Sequence, residues 1–153
     1  MRTATIGLCL LTIAASGLPS AAHDHATAVV KERMDMMEVM GKRLKAIRDR
    51  VDGKRDLAAI KADAEAIASH ASHVVHLFPP GSTQKPTDAR AAIWQNWPDF
   101  ERKATALEVE SKKLISASPD DFTALNAQVR AVSQTCRACH ETYRAKRRKG
   151  ELW

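Results

Sequence analysis

Two cysteines and a histidine near the carboxyl end of the chain have the residue types and spacing needed to hold a cofactor. Cys136 and Cys139 are separated by two residues, and His140 follows directly. On a helix, thiols three residues apart point to nearly the same side, and the next residue can turn its imidazole toward a ring held by both sulfurs. Cys-x-x-Cys-His is the attachment signature of c-type haem, with two thioether bonds and the histidine as an axial iron ligand. The sequence therefore predicts one covalently attached haem c, containing iron, per chain.

Three other uses of paired cysteines fit the sequence less well. A thioredoxin-like redox pair requires a strand followed by a helix, and no strand pattern lies near the motif. A structural zinc site needs four ligands, usually from a second Cys-x-x-Cys, which the sequence lacks. A disulfide within so tight a pair is rarely structural. Haem attachment is favoured over all three.

The first residues have the composition of a secretory leader. Arg2 is followed by an apolar run and then by small residues, so we expect cleavage after Ala22. The predicted organisation is a signal peptide at 1–22 and a single domain at 23–153. Cys9 leaves with the leader, so that the mature chain keeps one cysteine pair, which fits a periplasmic protein. No other apolar run reaches spanning length, and we expect no membrane span.

Apolar residues recur at helical spacing along the predicted domain. They predict four helices: 29–51, 56–77, a third that carries Ile93 to Leu114, and a fourth that begins at a Ser118 cap, with an inner face from Phe122 to Tyr143. Trp97-Pro98 predicts a break near the start of the third helix. Antiparallel helices of about 20 residues, each about 30 Å long, make an all-α, up-down-up-down four-helix bundle that encloses the haem near one end.

A four-helix chain with its haem motif near the carboxyl end resembles the cytochrome c-prime family, class II of the c-type cytochromes. The resemblance spans the predicted mature chain and is carried by 136–140 with Tyr143-Arg144, by Arg33, Met37 and Met40-Gly41, and by Ile93-Trp94. In that family, the residue four positions after the first-helix arginine stands over the distal face of the haem. Methionine there is typical of a low-spin branch, whereas leucine or phenylalanine is typical of five-coordinate, gas-binding members.

Four residues acquire expected roles from this resemblance. Met37 is implied to be the second axial ligand beside His140, and Met40, one turn along the same face, is the fallback ligand or a wall of the haem pocket. Arg33 and Arg144 are implied to approach the propionates or the proximal ligand, since burying a propionate without a cation is costly. The alternative interpretations are core packing for the methionines and solvent exposure for the arginines.

The chain is basic, with 24 Lys and Arg against 18 Asp and Glu. A basic run follows the haem motif: Arg144, Lys146, Arg147, Arg148 and Lys149. Such a run compensates a helix dipole, and it also favours steering toward an acidic redox partner. Nucleic acid is not an expected partner, because the sequence shows no groove-reading motif.

Three histidines, His70, His73 and His76, follow one another at three-residue steps in the second predicted helix. Two of them could bind a metal ion, but no neighbouring carboxylate or cysteine completes a site. We expect them to be exposed histidines rather than a metal centre.

Taken together, the motif and the resemblance predict a periplasmic electron-transfer cytochrome, a monomer or homodimer, with His140 and Met37 as axial ligands. The alternative is a five-coordinate, high-spin protein that binds NO or CO at the distal haem face, which applies if Met37 packs beside the iron. An enzyme is not expected, because no convincing distal histidine for peroxidase chemistry is present. The donor and acceptor proteins are left open.

Overall fold

The helices account for most of the chain. The computed structural model describes residues 20–53, 56–117 and 121–146, with side chains from residue 28 onward. Its elements are α1 (Ser20–Asp52), α2 (Leu57–His73), a 3₁₀ turn (Val74–Leu77), α3 (Ala92–Gln95), α4 (Trp97–Ile115) and α5 (Phe122–Tyr143). Most of the predicted leader and the basic residues 147–149 lie outside the described residues. None of the helices described is both long and apolar enough to cross a membrane.

The four long helices form a ring in which each packs against two neighbours. α1 lies against α2 and α5, and α4 lies against the same two helices. This is the neighbour pattern of an up-down-up-down bundle, and it confirms the predicted all-α fold. Of the four neighbouring pairs of long helices, α1 and α5 have the loosest backbone contact, and α5 carries the haem motif. That looser contact leaves room for a site between these two helices.

The predicted apolar stripes meet in one core. Ile47 on α1, Ile60 on α2, Leu114 on α4 and Val132 on α5 are fully buried, one from each long helix. Burying such a side chain contributes roughly 1.5–3 kcal/mol. Phe122 was predicted on the inner face of α5 but is 37% exposed, because it is the first residue of the helix and lies at the edge of the bundle.

Two helix boundaries depend on local backbone chemistry. The fourth long helix is capped by Asp121, whose carboxylate accepts the Ala124 N–H at 2.8 Å. Ser118, the predicted cap, lies outside the described residues. The third predicted helix is divided into α3 and α4, as the Trp97-Pro98 pair predicted. Asn96 between them leaves the helical region, at φ −137° and ψ 54°, and Pro98, which has no N–H to donate, stands in the first turn of α4.

Candidate haem site

Helix α5 presents the two thiols of the motif side by side. Cys136 and Cys139 are both half-buried and both free, and they pack against the edge of the core. Burial raises the pKa of the Cys136 thiol and, more strongly, that of the Cys139 thiol, to about 11. Both are therefore protonated at neutral pH. A dithiol oxidoreductase has the opposite property, a lowered thiol pKa, so this environment disfavours the thioredoxin-like alternative.

The thiols face a cavity of about 120 Å³ that is lined by residues of all four long helices. Its wall is formed by Met37, Met40, Gly41 and Leu44 of α1, Ile67 of α2, Val74 of the 3₁₀ turn, Lys103, Ala104 and Leu107 of α4, and Thr135, Cys136, Cys139 and His140 of α5. The wall is mostly apolar, as a porphyrin face requires.

This donor set fits a covalently held haem. Two thiols for the thioether bonds, an imidazole and two thioether sulfurs converge on one cavity, and all were predicted from the sequence as haem-contacting groups. Cys136, Cys139 and His140 come from one helix, whereas Met37 and Met40 come from the facing helix. The residues present can therefore hold a haem between α1 and α5, with candidate axial ligands on both helices.

His140 lines the cavity although much of its surface is exposed. Burial of the ring, and secondarily the positive charge of Arg144, lower the pKa of His140. Both effects favour the neutral imidazole, which is the form that binds a metal ion.

The two methionines of the α1 wall differ in burial. Met40 is 6% exposed and belongs to the hydrophobic core, whereas Met37 is only half-buried. Met34 and Met36, which lie on neighbouring positions of the same helix, are not part of the cavity wall. The structure therefore separates the pair at the cavity from the pair outside it.

Arg33 is not part of the cavity wall. Its guanidinium is 3% exposed and donates to the Ser82 carbonyl at 2.6 Å, to Thr87 Oγ1 at 2.7 Å and to Ser82 Oγ at 3.1 Å. It also lies 4.7 Å from the centre of the Phe78 ring. In the structure it anchors the loop that turns at Gly81, whose φ of +78° is left-handed, and its implied role at a propionate stays a prediction.

Arg144 also lies outside the cavity wall, directly after α5. Its Nη2 is 3.3 Å from Asp88 Oδ2, and its backbone bridges to Ala89. It is one helical turn beyond His140, whose carbonyl accepts the Arg144 N–H at 3.1 Å. The implied role of Arg144 at a propionate or at the proximal ligand stays a prediction.

Lys103 is a cavity residue that the sequence argument did not identify. It is half-buried in the wall beside Cys139, and its Nζ lies 3.5 Å from Asp99 Oδ2. It stands directly before Ala104, one position off the apolar stripe of α4. A charged residue next to a buried stripe usually extends its charged group into water. The apolar spacing of α4 therefore did not indicate that Lys103 lines a cavity.

The histidine series lies away from this cavity. His73 and His76 are exposed, with ring centres 6.4 Å apart, and His70 is half-buried. The His73 ring contacts the Ser69 carbonyl through Nδ1 at 2.8 Å. Within the described ranges, no group of three or more His, Cys, Asp or Glu is arranged to hold a metal ion.

A four-helix bundle with a Cys-x-x-Cys-His cavity on its last helix defines a class of c-type cytochrome. The family model described as cytochrome c' matches residues 28–144. A curated relative, cytochrome c-556 of Agrobacterium tumefaciens (strain II Chrys), is 33% identical, with an alignment that covers 77% of this chain and 98% of the relative. The chain belongs to the cytochrome c' family. Members of this family carry one covalently bound haem c, which confirms the predicted cofactor.

Two solved structures show the same fold. A cytochrome c' with ligand-controlled dimer dissociation is 26% identical, covers 86% of this chain and 100% of its own, and superposes with a TM-score of 0.73. A variant of cytochrome c' from Alcaligenes xylosoxidans, solved in complex with nitric oxide, is 30% identical, covers 79% of this chain and 97% of its own, and has a TM-score of 0.70. The chain is thus similar to proteins named cytochrome c' and to one named cytochrome c-556.

Proposed function

We propose that this protein is a one-electron carrier whose haem iron is held by His140 and Met37. The observation that carries the proposal is that Met37 on α1 and His140 on α5 line the same cavity as both attachment cysteines. The haem, when bound, supplies a one-electron iron couple. Binding by both His140 and Met37 would leave no position open to a substrate and would keep rearrangement small when the oxidation state changes.

The remaining residues of the cavity would tune this couple. The apolar wall of Leu44, Ile67 and Leu107 excludes water, and a water-poor surrounding is one of the means by which a protein sets a haem potential. Lys103 adds a positive charge to that wall, and Asp99, 3.5 Å from its Nζ, offsets part of it. Because the ferric state carries one more positive charge than the ferrous state, a fixed cation favours the ferrous form.

Export to the periplasm and exchange of electrons with a partner protein belong to the same proposal. The leader-like composition of residues 1–22 supports export. The basic surface favours an acidic partner.

A second candidate function is the binding of NO or CO to five-coordinate iron. Three observations favour it: Met37 is only half-buried, a Cβ added at Gly41 would meet nothing within 4 Å, and the similar Alcaligenes protein has been solved with nitric oxide. Open space beside a methionine that does not bind the iron could admit a diatomic molecule. In this alternative, Met37 and Met40 form an apolar distal wall.

Absorption spectra of the Met37→Leu variant, with and without CO, separate the two functions. We expect the wild-type haem to be low-spin and inert to CO, and the Met37→Leu haem to be high-spin and reactive. Met36→Leu is the matched control, because Met36 is one residue away but outside the cavity wall, and its spectrum should equal that of the wild type. If the wild-type protein is already high-spin and binds CO, and Met37→Leu changes nothing, the gas-binding function replaces electron transfer.

A further inference from the structure

Two arginines beside the haem motif differ from most other cations on the bundle surface. Many of the surface cations are paired with a carboxylate three or four residues away on their own helix, among them Lys31, Lys42, Lys45, Arg102, Lys112, Lys113 and Arg137. Arg43 and Arg50 share the buried carboxylate of Asp63. Arg48 on α1 and Arg130 on α5 are exposed, and neither has a carboxylate oxygen within 4.0 Å in the part of the chain that the structure describes.

These two arginines frame a second cavity, of about 190 Å³, between α1 and α5. Its wall also contains Val51, Asp52, Asn126, Val129 and Ser133. Among the described residues, Asp52 supplies the one carboxylate of this wall, so the two guanidinium groups leave a net positive charge. We call the surface formed by Arg48, Arg130 and Ser133 the basic groove.

The basic groove adjoins the haem cavity. Arg48 is four residues after Leu44 on α1, and Ser133 is three residues before Cys136 on α5. Leu44 and Cys136 both line the haem cavity, so about one helical turn, ~5.4 Å, separates the two cavities along each helix. The groove therefore lies beside the edge of the haem cavity at Cys136, the first attachment cysteine.

Other cations near the haem cavity are less available to a partner. Lys103 is half-buried and close to Asp99, and Arg144 is paired with Asp88. A partner carboxylate at either position would have to compete with a carboxylate of the protein itself. At Arg48 and Arg130, it would displace only water and could form charge-assisted hydrogen bonds with the guanidinium groups.

We propose that the basic groove is the docking surface for an acidic face of a redox partner protein, which is thereby placed against the Cys136 edge of the haem. This inference rests on the proposed electron-transfer function. Complementary charge acts mainly on the rate of encounter and on orientation. The effect of the groove is therefore expected in association rates and in their dependence on salt.

Two inorganic oxidants of opposite charge, ferricyanide and tris(phenanthroline)cobalt(III), test the groove without knowledge of the natural partner. Oxidation of the reduced holoprotein is followed by stopped-flow absorbance. In the Arg48→Glu/Arg130→Glu double variant, we expect oxidation by the ferricyanide anion to slow roughly tenfold at low salt, and oxidation by the cobalt cation to accelerate. Both effects should shrink as salt shortens the screening length to about 8 Å. If the substitutions instead changed the reduction potential of the haem, the rates with both oxidants would move in the same direction.

Lys85→Glu/Lys146→Glu is the matched control, because it makes the same change of charge at two exposed cations. Lys85 belongs to the loop that Arg33 anchors. Arg33 lies about four helical turns before Arg48, which is ~22 Å along α1. Lys146 represents the basic run after α5. We expect the control to slow oxidation by ferricyanide less than the groove variant does, most clearly at about 0.1 M ionic strength, where the screening length of about 10 Å is shorter than that distance.

The outcomes distinguish the groove from the function on which it rests. A rapid wild-type reaction that the groove variant leaves unchanged, or that the control slows as much, overturns the docking surface and leaves electron transfer standing. A wild-type protein that reacts slowly with both oxidants removes the electron-transfer function and the docking surface together. If Arg48→Glu/Arg130→Glu does not fold, Arg48→Gln/Arg130→Gln is tested in its place. It should slow oxidation by ferricyanide and accelerate oxidation by the cobalt complex, each by about half as much in log rate, because it changes the charge by half as much.

Discussion

The hydroxyl of Tyr143 donates a hydrogen bond to Asp99 Oδ2 at 2.5 Å, and this bond ties the end of α5 to the first turn of α4. Tyr143 is three residues after His140, and its ring packs edge-on against Phe100 at 5.4 Å. The same carboxylate also pairs with Arg102 and lies near Lys103 of the haem cavity wall. The helix that carries the haem motif is thereby fixed to its neighbour directly beyond the iron ligand.

This contact predicts a loss of stability in alkali. Burial, and secondarily the bond to Asp99, raise the pKa of Tyr143 from 10.0 to about 12. A raised pKa in the folded state stabilises the fold fully below pH 10.0, and this contribution is lost as the pH rises toward about 12. The free energy of unfolding of the wild type should therefore fall over that interval by more than that of Tyr143→Phe. Denaturant titrations at the two ends of the interval measure the difference.

The chain contains a single tyrosine, so the ultraviolet absorbance of tyrosinate reports Tyr143 alone. We expect its titration midpoint in the folded protein to lie above that of the denatured protein. Equal midpoints in the two states would show that the hydroxyl is not held as the structure describes.

Arg33→Met should destabilise the fold by about 3 kcal/mol, because it leaves the Ser82 carbonyl and the Thr87 hydroxyl buried without their donor. Urea denaturation measures the loss. Trp94 donates to the carbonyl of Phe78 in the same loop at 3.0 Å, so loosening of the loop should also change tryptophan fluorescence. Arg33→Lys keeps the charge but not the planar guanidinium, so its stability should lie between that of the wild type and that of Arg33→Met. A variant as stable as the wild type would contradict the anchor.

Ser111→Ala should leave the protein equally stable or stabilise it by up to about 1 kcal/mol. Ser111 is fully buried on α4, and its Oγ has no hydrogen-bond partner among the residues that the structure describes. Removing an unsatisfied hydroxyl removes its desolvation penalty. Ser133→Ala is the control, since the Oγ of Ser133 donates to the Val129 carbonyl at 2.9 Å and its loss brings no such gain. Thermal unfolding of both variants ranks them, and destabilisation by Ser111→Ala alone would contradict the prediction.

The positions of Cys136 and Cys139 on the cavity wall predict that the haem cannot be extracted. Acid–acetone should leave the colour with the wild-type protein and with each single cysteine-to-alanine variant, because one thioether bond is enough to retain the ring. The Cys136→Ala/Cys139→Ala double variant should lose its haem to the solvent. Release of haem from the wild type would refute covalent attachment.

The sequence by itself determined the cofactor chemistry and the fold class. Cys136, Cys139 and His140 are neighbours on one helix, so their spacing alone settles that they act together. The helical period likewise placed Ile47, Ile60, Leu114 and Val132 on buried faces, because an amphipathic helix must bury its apolar stripe whatever its partner is. Local chemistry also predicted the break before Pro98.

Relationships between distant parts of the chain were decided only by the tertiary structure. Arg33 shares the inward stripe of α1 with Met37, yet it turns to a loop some fifty residues away, whose polar atoms compensate the cost of burying its charge. The packing of neighbouring helices places Lys103 in the wall of the haem cavity. It also leaves Arg48 and Arg130 without an ion pair to any described carboxylate. Periodicity gives the face on which a side chain lies, whereas the packing of neighbouring helices selects the atoms that it meets.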